Sequence, residues 1–404
     1  MYARLVINLW ETWIIEILKG IGQLFIQPLF YVGFLLTYLL GSMRVKQERK
    51  LFHVRVEDSM VEMKEYIVPS LVWGFIFSII TGLIGLVVPF DFILLVGLLM
   101  LLIGLSMQVR FLSPAYTVGL PFLIIYILYG LGFEGILSDT YFAFEQAVYP
   151  SIAVLTGLLL LAEGLLIRRR GAIQVSPLVE KGKRGLLIGA QSTNRIWLVP
   201  VLLFIPNGVL SIGGDFWPIF SFGGTEWSPI LVPFFIGFSF KAKSNLMGQV
   251  TEKLGNGVAI LGIIVLAVAV VGKWYPIVSL AAVILAILGR EIIQIVYKRH
   301  ENQSNPYFTS GKNGLMILGV LPDSPAERMG LKAGERLTKV NGQQVFNSEE
   351  LYKALQINRA HCKLEVYDTN DQIRLVQNAL YEGDHHELGI LAIDSEIKRE
   401  KLNF

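Results

Sequence analysis

An α-helical polytopic membrane bundle followed by a small α/β domain is the fold class this sequence predicts, and three observations predict it. Hydrophobic residues make up 53% of the 404 and charged residues only 17%, against about 25% charged in ordinary soluble domains; the mean hydropathy is +0.55. Apolar runs of membrane-spanning length recur through residues 1–299, with the charge gathered in a few loops between them. The last hundred residues instead carry the short alternating segments of a compact soluble module. The expected boundary separates a transmembrane region of about eight or nine helices, 1–299, from a soluble domain with a short tail, 300–404.

A helix needs about 20 largely apolar residues to cross a hydrocarbon core of about 30 Å, because no backbone amide there can go unpaired. Val68–Val88, Phe92–Val109, Pro114–Leu131, Val148–Ile167, Ile196–Ile212, Gly257–Val271 and Pro276–Val296 meet that requirement most clearly. Gly22–Leu40 is long enough but follows another apolar stretch, and Ile230–Phe240 is short unless Trp227 extends it. Leu5–Leu18 mixes Glu11 and Glu16 with Trp10, Trp13 and aliphatics, so it reads equally as an interfacial amphipathic helix or as a helix end. The N-terminus lacks the pattern of a cleaved signal peptide, so the first apolar segment is expected to stay in the mature chain.

Loop charge sets the expected orientation, since short cytoplasmic loops carry the excess of Lys and Arg. Arg44 to Lys64, Arg168 to Arg184, Lys241 to Lys253 and Lys298–Arg299 are basic; the loops between them carry Glu134, Asp139 and Glu145, then Asp215 and Glu226. That alternation places the C-terminal module in the cytoplasm. It fits nine crossings with the N-terminus outside, or eight if one segment only re-enters the interface. The net charge of +3 comes from residues flanking apolar segments, not from a basic aromatic-studded soluble surface, so no nucleic-acid partner is expected; the lipid bilayer is.

Catalytic and metal signals are sparse. Ionisable groups inside spans mark pumps and transporters, and here Glu163 reads as a residue snorkelling to the interface one turn before Arg168, while Asp91 falls in a turn. A zinc-protease helix needs two His four apart with a Glu between them; His385-His386-Glu387-Leu388-Gly389-Ile390 lacks the second His. Cys362 is the single cysteine, which excludes an intramolecular disulfide and a multi-cysteine zinc site and reads as a buried strand residue. Neither catalytic residues nor a cofactor nor a metal is expected, and the chain is expected not to be an enzyme.

After the polar linker His300–Pro306 the chain reads as a small α/β domain. Leu315–Leu321 is a buried strand, Ser324-Pro325 opens a short capped helix, Arg336–Val340 is a strand ending in the tight turn Asn341-Gly342, and Asn347 or Ser348 caps a helix whose Leu351 and Leu355 share a face. Lys363–Tyr367 and Gln372–Gln377 are further strands, and Leu388–Ile393 nearly closes the chain.

Ser324, Pro325 and Ala326, then Gly330 and Leu331 with Gly334, then Asn341 and Gly342 at these spacings resemble the central stretch of bacterial PDZ domains. Asp323, Met329 and Glu335 depart from the pattern, where Gly, a small residue and Asp are common. PDZ domains take an extended peptide as an added strand, with a Gly-containing loop presenting N–H groups to its terminal carboxylate. The segment that normally supplies loop and strand precedes this stretch, and here Tyr307–Gly314 is too short for it. Leu388, Gly389, Ile390 and Leu391 resemble the missing part, which implies a circularly permuted PDZ domain with its groove between Leu388–Ile393 and the helix carrying Leu351 and Leu355. The other reading is that Leu388–Ile393 only closes the sheet.

Many apolar spans followed by one C-terminal PDZ domain, without a protease motif, resemble the MinJ-like family of division-site topology proteins. That resemblance implies a non-enzymatic membrane adaptor at septum and poles, linking a DivIVA-like scaffold to a MinD-like inhibitor to help place the septum. The alternative class is a membrane-embedded protease, or protease regulator, reading C-terminal peptide tails. A transporter with an appended PDZ domain is disfavoured by the scarcity of intramembrane charge.

Overall fold

The computed structural model describes residues 2–131, 146–183, 185–210, 217–220, 226–309, 314–358, 360–380 and 388–393, the side chains of 2–10, 61 and 65 excepted. Arg184, Glu134, Asp139, Glu145, Asp215 and His385–Glu387, used in the sequence reading, lie outside these. The helical part begins with α1 (Tyr2–Leu24), α2 (Pro28–Phe52), α3 (Val61–Ile84) and α4 (Phe90–Leu105), then a 3-10 turn (Val109–Leu112), α5 (Pro114–Thr117), α6 (Gly119–Gly130) and α7 (Tyr149–Arg170). After three strands come α8 (Met247–Val271) and α9 (Pro276–Gln303). Proline stands in the first turn of α2, α5, α7 and α9, where its missing N–H is no loss.

Five of the described helices are long and apolar enough to cross a membrane, Pro28–Phe52, Glu62–Ile84, Gln146–Arg170, Met247–Val271 and Pro276–Gln303, and Phe90–Leu105 and Pro114–Gly130 are shorter apolar helices. Helix α7 is the centre of the bundle, 89% of its apolar window being buried. It packs on α8 through glycines seven residues apart on both helices. A Cβ on Gly164 would lie 2.3 Å from the Ala259 amide nitrogen, and one on Gly262 2.7 Å from that of Leu161. Such close backbone approach is how helices associate in lipid, where burial of apolar surface supplies no drive.

Two of the expected spanning helices are strands. Ile196–Ile212 and Ile230–Phe240 fall largely within β2 (Leu187–Leu210) and β3 (Trp227–Ala242), which with β1 (Ser176–Lys181) form an antiparallel sheet in the order β1-β2-β3. The physical reason is in the prolines. Pro200 and Pro206 would sit inside the first helix and Pro233 inside the second, at about 3 kcal/mol or more for each in a helix interior. In the hairpin Pro200 lies opposite Pro233, Phe204 opposite Pro229 and Pro206 opposite Trp227, so the rings stand where an N–H would point out of the ladder.

The outward edges of this apolar hairpin are paired by the surrounding helices, as a membrane interior requires. Ser78 Oγ donates to the Pro200 carbonyl at 3.3 Å and accepts from the Leu202 amide at 3.0 Å, and Thr81 Oγ1 donates to the Leu202 carbonyl at 2.5 Å. On the other edge Gln27 Nε2 donates to the Leu231 carbonyl at 2.9 Å. Beyond the end of α3, Phe204 N donates to Leu86 O and Val88 N to Phe204 O. Helix α1 packs along the far end of β3, Gly20 against the Pro229 carbonyl, and Trp13 joins Phe204 and Trp217 there.

Buried charge is also denser than the sequence reading allows. Glu163 does not snorkel: it is fully buried, accepting from Ser113 Oγ at 2.5 Å and Arg290 Nε at 2.9 Å. Arg290, inside the expected span Pro276–Val296, is itself buried and also donates to Gln294 Oε1 at 3.2 Å. The next residue of α9, Glu291, pairs with Arg110 and accepts from the Tyr116 hydroxyl. A second network joins Arg44 to Glu48 and Glu62, with Glu48 also accepting from Ser176 Oγ and Val56 N. Each of these carboxylates is satisfied, which is what allows charge to stay inside.

The C-terminal domain comprises β4 (Leu315–Val320), α10 (Pro325–Arg328), β5 (Arg336–Val340), β6 (Gln343–Gln344), α11 (Ser348–Gln356), β7 (His361–Tyr367), β8 (Ile373–Ala379) and β9 (Ile390–Ala392). Its sheet runs β8-β7-β5-β4-β9, with β6 on β5. The domain is docked on the bundle rather than tethered to it. Phe308 is fully buried among Val179, Met316, Leu318 and Ile393, its carbonyl accepts from Gly189 N, and Tyr307 N donates to Lys243 O. Glu301 fastens the end of α9 to the same corner by accepting from the amides of Lys243 and Ser244 and from Asn245 Nδ2.

Candidate peptide-binding site

The motif residues build the frame of the site. Ser324 caps α10, accepting from Glu327 N at 3.3 Å and donating to the Leu321 carbonyl at 2.6 Å, with Pro325 in the first turn and Ala326 fully buried behind it. Gly330 and Gly334 have φ of +68° and +95°, which glycine adopts without the Cβ penalty. Leu331 is buried in the domain core. Asn341 and Gly342 both have positive φ, as the tight turn between β5 and β6 requires. The Asn341 side chain ties that turn to α11 and β7, donating to the Ala354 carbonyl at 3.1 Å and accepting from Lys363 N at 3.0 Å.

The three departures from the usual pattern have local accounts. Asp323 has φ +57°, the left-handed conformation for which Gly is the common residue. Met329 extends into the core cluster where a smaller residue is usual. Glu335, buried, accepts from Lys332 N at 2.9 Å and from Arg374 Nη2 at 2.8 and 2.9 Å, so its extra methylene lets the carboxylate join the loop to β8.

The loop before β9 is held by its carbonyls. Leu388 (φ +58°) accepts from Ala326 N at 3.0 Å, and Gly389 (φ +81°) from Leu321 N at 2.9 Å. A Cβ on Gly389 would come within 2.4 Å of Ser324 Cβ, so glycine is required for both conformation and space. Strand β9 is the last in the described sheet, pairing with β4 alone. Leu388 and Ile390 point into the domain core, in one cluster that also holds Leu351 and Leu355. Leu391 faces the other way, packing on Val56 and Leu321 against the segment that follows α2. Of the six expected groove residues, Leu388, Ile390, Leu351 and Leu355 belong to the common core of the domain, Gly389 shapes the loop before β9, and Leu391 lies on the other side of that strand. The apolar side chains of the loop, β9 and α11 are buried in the domain core: Leu388 and Leu351 are each 1% exposed.

Cys362 is buried on β7 and burial pushes its thiol up to about 12. The folded protein is expected to react with a maleimide at pH 8 at least about a hundredfold more slowly than a free cysteine, and to gain full reactivity on unfolding, followed by mass spectrometry. Among the described residues no group of three or more His, Cys, Asp or Glu gathers to hold a metal.

Fold and site together define a multi-helix membrane protein carrying a C-terminal PDZ domain, and the PDZ domain family matches residues 316–368. Over nearly the full length the chain is similar to the cell division topological determinant MinJ of Bacillus subtilis, 36% identical over 396 residues, covering 96% of this chain and 98% of that one. The probable cell division topological determinant MinJ of Lacticaseibacillus paracasei is 26% identical over 91% of this chain and 95% of its own. The chain belongs to the MinJ family of cell division topological determinants. A match to the serine protease HTRA3 of Rattus norvegicus, 36% identical over 70 residues, covers only 17% of this chain and 15% of the protease. The relatives matched along their whole length are named as division determinants and not as enzymes. No solved structure matches.

Proposed function

We propose that the chain is a non-enzymatic membrane adaptor that holds a circularly permuted PDZ groove on the cytoplasmic membrane face and uses it to connect division-site proteins, a DivIVA-like scaffold and a MinD-like inhibitor. The observation that carries this reading is the outer edge of β9, unpaired among the described residues, on a domain docked against the bundle in a chain related to MinJ along its whole length. A partner's C-terminal segment adds as a strand along β9, with the amides of the Leu388-Gly389 loop turned to its carboxylate. Because Leu388, Ile390, Leu351 and Leu355 are all buried, seating an apolar terminal side chain among them requires α11 to move outward.

The orientation follows from charge. Arg168–Arg170 end α7, Lys298 and Arg299 lie in the last turns of α9, and Lys181, Lys241 and Lys243 lie at the end of the hairpin that carries the docked domain, which is the cytoplasmic side by the rule for short basic loops. On this reading seven helices, α2 to α4 and α6 to α9, and the two hairpin strands make nine passes, α1 lies along the outer end, and the docked domain is confined to the inner face. Confinement raises its effective concentration toward membrane-bound partners.

Co-purification of the full chain with DivIVA-like and MinD-like proteins, and of a chain lacking 302–404, tests the proposal. Recovery of both partner types by the full chain and loss of at least one on truncation is expected. A Gly389→Ala variant, which clashes with Ser324 in the loop, is expected to weaken that capture about tenfold or more. Failure of the full chain to recover either partner type would falsify the adaptor reading.

A further inference from the structure

On the inner end of the hairpin one face of the sheet turns polar, and the structure assigns to it a second site. We infer that the trough between α2, α9 and this face binds the phosphate headgroup of an anionic glycerophospholipid from the inner leaflet.

The floor is made by cross-strand pairs. Ser192 lies opposite Lys241 and Asn194 opposite Ser239, and alternate positions of a strand share one face, so a hydroxyl, an ammonium and an amide are displayed together. Arg110 and Lys298 close one side of a cavity of about 510 Å3 over this floor, and Gln47 of α2 the other. The carboxylates nearby are already engaged. Glu180 is shared by Lys241 and Lys243, Glu291 by Arg110 and Tyr116, and both oxygens of Glu301 accept from the amides of residues 243–245. Two donors are left over: Lys298 has no ion-pair partner among the described residues, and Arg110 Nε is buried with no hydrogen-bond partner among them.

The path toward the bilayer decides between a lipid and a soluble phosphate. Across Gln47, Ser192 and Asn194 the trough meets a mostly polar cavity of about 180 Å3, where Arg44 and Glu62 are paired with each other and Leu40, Met43 and Met107 supply the apolar part of the wall. Met43 continues into the exposed apolar stripe of α2 that holds Leu35, Tyr38 and Leu39. A phosphate at Lys298 and Arg110, glycerol oxygens at Asn194 and Ser239, and an acyl chain passing Met43 into the bilayer match this sequence of surfaces. A soluble phosphate uses only the first. Basic pockets between spanning helices on the cytoplasmic side are the general form of anionic headgroup sites.

The test is native mass spectrometry of the full chain in mild detergent, titrated with phosphatidylglycerol, with phosphatidylcholine of the same acyl chains, and with glycerol phosphate as the headgroup alone. Phosphatidylglycerol is expected to bind about tenfold tighter than phosphatidylcholine and to resist competition by glycerol phosphate. Lys298→Gln is expected to weaken it about fivefold, in line with one basic residue near an anionic surface, while Lys363→Gln on the PDZ domain leaves it unchanged. Asn194→Ala, at an exposed position, should reduce the preference between the two headgroups without altering phosphatidylcholine binding, and serves if Lys298→Gln fails to fold. Equal affinity for the two lipids, equal loss in Lys298→Gln and Lys363→Gln, or full displacement by glycerol phosphate overturns the assignment.

Discussion

Replacing Arg290 by methionine is expected to destabilise the protein by about 3–5 kcal/mol, the cost of leaving one member of a buried ion pair without its partner. Glu163 has no access to solvent, and without the guanidinium it keeps a single donor, Ser113 Oγ. The charge must then be neutralised by protonation or reached by water through the centre of the bundle, where α7, α5 and α9 pack. The double change Glu163→Leu with Arg290→Met removes both charges and is expected to recover most of the loss, because a buried pair is close to neutral against apolar residues of similar volume. Unfolding in mixed micelles by increasing denaturing detergent would measure this. A double variant no more stable than the single one would show that the pair itself, and not the unpaired charge, stabilises the bundle.

Gly74→Leu is expected to cost about 3 kcal/mol by the same measurement, at the upper end of the penalty for overpacking. A Cβ on Gly74 would lie 2.5 Å from Pro200 Cδ and 2.6 Å from the Pro200 carbonyl oxygen, so α3 has to retreat from β2. Retreat also breaks the bonds that Ser78 and Thr81 make to the strand edge, and lipid offers no replacement partner. Gly82→Ala is the control on the same helix, since its Cβ would meet only Leu202 Cδ2 at 3.7 Å, an ordinary contact. Equal stability of the Gly74→Leu and wild-type proteins would mean that the helix does not seal the strand edge.

The PDZ framework was readable because its signals are local. A serine before Pro325 caps a helix, Asn341-Gly342 makes a tight turn, and glycines mark backbone that must turn left-handed; each acts within a few residues of itself. Asp323 is instructive, since its departure from glycine leaves the backbone conformation in place. The loop before β9 is partly of this kind, with Gly389 required by its own φ. That Leu391 turns toward Val56 and away from α11 was not readable, because the segment it meets is more than 300 residues earlier in the chain.

Hydropathy by itself misread the hairpin. A continuously apolar segment carries no period to distinguish helix from strand, and Ile196–Ile212 and Ile230–Phe240 are both of that kind. The usable signal was Pro200 and Pro206 in the first and Pro233 in the second, together with β-branched and aromatic neighbours. Arg290 was lost among apolar residues for a related reason: one cation in a long run barely lowers the average, and its partner Glu163 is on another helix.

By itself, then, the sequence determined that the chain is a multi-helix membrane protein, which loops are basic, and that a PDZ domain follows the apolar helices. Those follow from length, composition and short-range turn chemistry. Only the tertiary structure decided that two of the apolar segments are strands, that Glu163 is answered by Arg290, and that the PDZ domain is fixed to the bundle through Phe308. The reason is common to all three: in a membrane each backbone amide and each charge must find a partner inside the protein, and those partners are distant in sequence.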